Sequence, residues 1–209
     1  MSRPCRTLAL AALLSLSSAC SILPKAEPAD VYRLPAAQPV CSNAAPVAWT
    51  LRINKPLASE ILGTPRIAVV PAGDLISSYK GARWADPVPA LLRNRMLDAF
   101  QRDGRVQRVS ADDANLQADY EIVGELQAFR SEYSDAGLAV VVRLDARLVQ
   151  GRTQRVLASH SFEVRQPVAQ TQVPAVVGGF GQATDRLMAQ LVDWTVAQAN
   201  QMQAQVKNQ

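Results

Sequence analysis

Between residues 120 and 164 apolar and polar side chains alternate almost without a break. Tyr120, Ile122, Gly124 and Leu126 share one parity. Val140, Val142, Leu144, Ala146 and Leu148 alternate with Val141, Arg143, Asp145 and Arg147. Val156, Ala158, His160, Phe162 and Val164 form a third set. Successive side chains on a strand leave opposite faces, so period two reads as a strand with one buried face. Gly151 stands between the second and third sets, where a hairpin needs a turn residue. The spacing therefore predicts a three-stranded antiparallel meander over residues 119–165.

Upstream, residues 47–53 alternate as a half-buried strand, and residues 66–70 form a more continuous apolar run that suits a central strand. Leu75 to Tyr79 reads as another short strand, and so does Val31-Tyr32-Arg33-Leu34. Helical spacing replaces period two at Val88, Leu91, Leu92, Met96, Ala99 and Phe100, with Arg93, Arg95 and Arg102 on the other side. Asp86 is placed to cap this helix, Pro87 fits its first position and Gly104 its end. A last helix is expected over residues 172–200, with Val176, Phe180, Ala183, Leu187, Leu191 and Trp194 as its buried stripe. Gly178, Gly179 and Gly181 each weaken helicity by about 1 kcal/mol. Either the helix begins after Gly181, or packing there demands small residues. From Gln198 the tail reads as fraying, and residues 201–209 as disordered. Together the elements predict an α+β fold: an antiparallel sheet with two amphipathic helices packed on it as a two-layer sandwich.

The N-terminus changes the setting. Arg3 and Arg6 precede an apolar run over residues 8–16, then Ser17, Ser18 and Ala19, then Cys20. That is an export signal, and the cysteine after small residues gives it the form of a lipoprotein signal, with Cys20 acylated as the new N-terminus. Leu16 lies four residues before Cys20 rather than three, a relaxed form of the motif. The other reading is an ordinary secretory signal that leaves Cys20 and Cys41 as thiols. The run is too short to span a bilayer, which needs about 20 residues. Ser21, where Asp would favour the inner membrane, favours the outer membrane. The organisation expected is a signal peptide over residues 1–19, an acylated N-terminus and Pro/Ala-rich tether over 20–46, a domain over 47–200 and a tail over 201–209.

Composition then excludes several functions. The precursor's net charge of +4 falls to +2 when Arg3 and Arg6 leave with the signal. No block of lysine and arginine supports nucleic-acid binding. Cys5 leaves with the signal and Cys20 carries lipid, so Cys41 has no internal disulfide partner; it is a tether thiol or an intermolecular bridge. One histidine, His160, rules out a multi-histidine metal site, and its parity places it as a packed residue at the sheet edge. No CxxC, P-loop, GxSxG or HExxH motif occurs, and the 178–181 glycine cluster is too short for a phosphate loop. Asp112, Asp113 and Asp119 read as a solvated loop rather than a carboxylate site. No cofactor, metal or catalytic residue is expected, and no enzymatic activity. The residues singled out for partner binding are Tyr79, Arg83 and Trp84, between a strand and a capped helix, where loops present binding groups. The alternative makes Trp84 a core residue and Arg83 a solvated charge.

Set in order, these pieces resemble a known family. They are the lipoprotein signal, Val31-Tyr32-Arg33-Leu34, Arg66-Ile67-Ala68-Val69-Val70, Tyr79 and Arg83-Trp84-Ala85-Asp86-Pro87. They continue through Leu91-Leu92, Leu97, Ala118-Asp119-Tyr120, Phe129, the strand from Val140 to Leu148, His160-Ser161-Phe162-Glu163 and Trp194. The pattern resembles the ABC-type transport auxiliary lipoproteins, which include the paraquat-inducible protein C type. The resemblance implies a non-enzymatic lipoprotein on the periplasmic face of the outer membrane. Its partners would be a mammalian-cell-entry domain protein and the ABC permease and ATPase of one lipid transport system. A homo-oligomer is compatible with it. The alternative is a structural or assembly lipoprotein of the outer membrane with no part in lipid transfer.

Overall fold

The computed structural model of the chain describes residues 28–36 and 44–207. The signal segment, Cys20, Cys41 and most of the tether lie outside the described residues. The elements in chain order are β1 (Asp30–Tyr32), β2 (Leu51–Ile53), β3 (Leu57–Ala58), β4 (Arg66–Ala72) and β5 (Leu75–Trp84). Then come α1 (Val88–Asp103), β6 (Val109–Ala111), β7 (Tyr120–Ser134), β8 (Gly137–Gln150), β9 (Arg155–Pro167) and α2 (Val173–Lys207).

The expected meander is present as β7, β8 and β9, all antiparallel. Leu126, Leu144 and Phe162 stand opposite one another across the three strands and are almost fully buried, while Arg143 and Arg147 are exposed. One irregularity shifts the pattern. A register shift in β7 between Leu126 and Ala128 puts Ala128 and Phe129 both out of solvent, as an extra residue in one strand does. Residues 138–142 of β8 are buried on both faces.

The antiparallel-only sheet is corrected: the sheet is mixed. β2, β3 and β4 run parallel to β7, β2 parallel to β6, and β1 parallel to β5. Parallel neighbours need a long crossover, and for β4 and β7 the chain through β5, α1 and β6 supplies it. Periodicity reports which face of a strand is buried. It carries no information about the direction of the neighbour.

The tether is corrected as well. Its strand belongs to the folded domain, since β1 pairs with β5 from Ala82 to Trp84, and Leu34 packs against the core. The residue 47–53 strand is shorter than expected, with only Leu51–Ile53 in the ladder; Trp49 is buried just before it. The short strand from Leu75 extends to Trp84.

The helices bury most of the faces expected, with Leu91, Ala99 and Trp194 only half-buried. One position is corrected: Arg95, expected on the polar side of α1, is buried, because its guanidinium is paired there with Asp185 Oδ1 at 2.8 Å and donates to the Pro35 carbonyl. Leu92, Met96 and Phe100 of α1 and Val176, Phe180, Ala183, Leu187 and Leu191 of α2 are fully buried. Asp86 does not cap α1. Pro87 holds the cap position with φ −54° and ψ 140°, and its carbonyl accepts from the N–H groups of Ala90 and Leu91 at 3.0 and 3.2 Å. Because Pro87 is itself extended at ψ 140°, the first helical residue is Val88 and Asp86 lies one position too early to cap.

The glycine cluster is resolved in favour of packing, because α2 starts at Val173, ahead of all three glycines. A Cβ at Gly179 would lie 2.6 Å from Val168 Cγ2 and 3.2 Å from Val140 Cγ2, and one at Gly181 would meet Pro35 at 3.0 Å. Close approach to β8 and to Pro35 requires Gly179 and Gly181, whereas a Cβ at Gly178 would meet no atom within 4 Å. Gly151 is needed for a similar reason: a Cβ there would overlap the Ala118 carbonyl oxygen, while the left-handed residue of that turn is Gln154. The fraying expected at Gln198 is not found, and α2 continues to Lys207. Trp49 Nε1 donates to Asn200 Oδ1 at 2.9 Å, and Ala199 is fully buried. These tertiary contacts hold a stretch whose composition alone reads as loose.

Candidate functional site

Tyr79, Arg83 and Trp84 lie on a strand, not in a loop. Tyr79 stands at the middle of β5 and Arg83 and Trp84 at its end, between β4 and β1. Trp84 is fully buried. Its ring stands edge-on to Phe180 at 5.2 Å and to Phe129 at 5.9 Å, and Phe129 and Phe180 stack at 4.6 Å. These three rings join β5, β7 and α2. Trp84 is therefore the core residue of the two readings and presents no surface to a partner. Tyr79 is half-buried, with its hydroxyl 3.0 Å from Ser131 Oγ. Burial pushes the Tyr79 phenol up, against the pull of that hydrogen bond.

Arg83 alone of the three is exposed. Arg66 stands directly opposite it on β4, and Arg33 follows β1 on its other side. All three arginines are exposed, and none has an ion-pair partner among the described residues. Like charges directly opposite across strands are unfavourable. A patch kept in that state is complementary to an acidic surface. Arg33 and Arg66 escaped the sequence reading because only the β1–β5–β4 pairing brings them beside Arg83.

The carboxylates serve structure. Arg93 Nη1 donates to Asp112 Oδ1 at 2.7 Å and to Asp113 Oδ2 at 2.8 Å. Asp119 Oδ2 accepts from the Thr50 N–H and hydroxyl, each at 2.8 Å. Glu121 is buried and lines a polar cleft of about 700 Å³ with Arg52, Asp119 and Arg152. It accepts from Arg52 at 2.5 Å, Asn54 at 3.1 Å and Gln154 at 3.1 Å. Burial raises its pKa, but these donors together prevail and hold it below the usual carboxylate range. A folded-state pKa below the unfolded one contributes stability above the unfolded value and loses it as pH falls through the folded one. Glu121→Gln should therefore destabilise the protein at neutral pH, and the gap to wild type should close below about pH 4. Urea melts across pH check this; a gap that widens on acidification would contradict it.

His160 is exposed, with its ring 4.5 Å from that of Phe162 and 6.2 Å from that of Trp194. No group of three metal-ligating side chains gathers among the described residues, and no described helix is long and apolar enough to cross a membrane.

The model of the ABC-type transport auxiliary lipoprotein component family matches residues 32–192, from the end of β1 well into α2. The chain belongs to this family. Further relatives of this auxiliary lipoprotein agree. It is 30% identical over 158 residues to an uncharacterised protein of Bradyrhizobium diazoefficiens, across 74% of this chain and 42% of that protein. The chain thus spans less than half the length of this curated relative. The crystal structure of a Xanthomonas campestris protein of the DUF330 family superposes with a TM-score of 0.79 at 31% identity, covering 84% of this chain and 99% of that one. A second crystal structure, of an uncharacterised protein, shares the fold with a TM-score of 0.62 at 14% identity, covering 80% and 98%. The match opening at Tyr32 accords with β1 being part of the domain.

Proposed function

We propose that this auxiliary lipoprotein is anchored by acyl chains on Cys20 to the periplasmic face of the outer membrane. There it docks the mammalian-cell-entry type component of a lipid-transporting ABC system, without catalysing a reaction. The family match over residues 32–192 carries this reading. The signal ending at Cys20 and the serine at position 21 support the placement. The docking surface is the Arg33, Arg66 and Arg83 edge, and it recognises an acidic segment of the partner. Tyr79 and Trp84 act from within by holding β5 in place.

Two measurements test this. Cys20→Ala should release the protein from the membrane fraction, and the mature wild type should carry the mass of an acylated cysteine. An unmodified N-terminus elsewhere would sink the anchor. Arg66→Ala with Arg83→Ala should weaken capture of the periplasmic partner by about 5–30-fold and flatten its salt dependence, with the fold intact. Unchanged capture would move the interface to the exposed face of β8 at Arg143, Asp145 and Arg147.

A further inference from the structure

The end of the sheet farthest from the 700 Å³ cleft exposes three large apolar side chains. Leu75 and Ile76 open β5 at the tip of the β4–β5 hairpin and are 63% and 41% exposed. Tyr133, 40% exposed, lies by the β7–β8 turn. Ile76 and Tyr133 line one shallow recess with Val70, Asp74, Arg130 and Glu132, so the two turns form a single tip where apolar and charged groups meet. The other end of β7 meets Gln150, so the turn over residues 151–154 is at the opposite end of the molecule.

The course of the chain says what covers this tip. β1 runs parallel to β5, with Asp30 level with Ala82, so β1 enters the sheet from the side on which β5 starts. Leu75 lies seven residues back along β5, at most about 23 Å away. Cys20 precedes Asp30 by ten residues, which reach at most about 33–36 Å. The tether is thus long enough to bring an acylated Cys20 level with the tip.

We propose that the Leu75, Ile76 and Tyr133 tip rests in the lipid surface that receives the acyl chains, as a second contact that orients the domain. This rests on the acylation of Cys20 in the reading above. The charges at the tip select the surface. Asp74 and Asp135 flank the apolar groups, and Glu132 pairs with both Arg130 at 2.9 Å and Arg165, so three carboxylates face two guanidiniums and the tip keeps one net negative charge. The acidic flank disfavours an anionic membrane, so the surface is zwitterionic. Tyrosine suits such a boundary because its ring is apolar and its hydroxyl stays wet.

The test uses the full acylated chain in vesicles of phosphatidylethanolamine and phosphatidylcholine with brominated acyl chains. Leu75→Trp places a reporter at the tip. Val156→Trp places one at the opposite end, where Val156 pairs with Val149 and is 49% exposed. The wild type gives the background of Trp49, Trp84 and Trp194. Emission from Leu75→Trp should shift to shorter wavelength and be quenched by bromine, while Val156→Trp stays unchanged. No quenching at position 75, or equal quenching at both positions, would overturn the proposal. Intact mass of the same sample reports the acyl group separately. A missing anchor and a solvent-facing tip are therefore distinct results, and either one overturns it.

Discussion

Trp84→Ala should lower the unfolding free energy by about 3–5 kcal/mol, the range for truncating a buried large aromatic. The side chain is fully buried and touches the rings of Phe129 and Phe180, so its loss opens a cavity where β5, β7 and α2 meet. At about 2–4 °C per kcal/mol for a chain of this size, the Tm should fall by roughly 6–20 °C. Trp84→Phe should cost far less. It keeps most of the apolar contact and removes an indole N–H that has no hydrogen-bond partner among the described residues, a group that is itself costly to bury. Thermal or urea melts of both variants decide this. A loss below about 1 kcal/mol for Trp84→Ala would mean that the aromatic cluster does not tie β5 to the core.

Leu144→Ala should cost about 2–5 kcal/mol, whereas Arg147→Ala should stay within about 0.5 kcal/mol of wild type. The two sit three residues apart on β8 with opposite surroundings. Leu144 has no exposed surface and lies between Leu126 and Phe162 in register; Arg147 is exposed. Equal losses in urea melts would mean that β8 is turned over, with its apolar row facing solvent.

Much of the fold was legible because both helices, and most of the length of the long strands, bury one face, residues 138–142 of β8 being buried on both. A row such as Leu126, Leu144 and Phe162 announces itself by period two whatever the partner strands are. The stripe from Val176 to Leu191 does so by helical spacing. The candidate site was less legible. Trp84 and Arg83 are adjacent in sequence yet end in different environments, because neighbouring residues of a strand point to opposite faces. With β5 read only as far as Tyr79, both looked like loop residues. The arginine edge and the apolar tip were invisible for another reason. Each gathers residues from separate strands, Arg33 with Arg66 and Arg83, and Leu75 with Tyr133.

Residue pattern alone determined the meander, the two amphipathic helices and the α+β class, because these depend on local spacing and on the chemistry of nearby residues. Tertiary structure decided the rest. It set strand direction, since apolar parity is blind to a neighbour's orientation. It drew the tether strand into the sheet and carried α2 through Gly178, Gly179 and Gly181 to Lys207, because contacts with β8, Pro35 and Trp49 outweigh local helical cost. It buried Trp84 and left Arg83 in solvent, because a strand between two others has one face for the core and one for water.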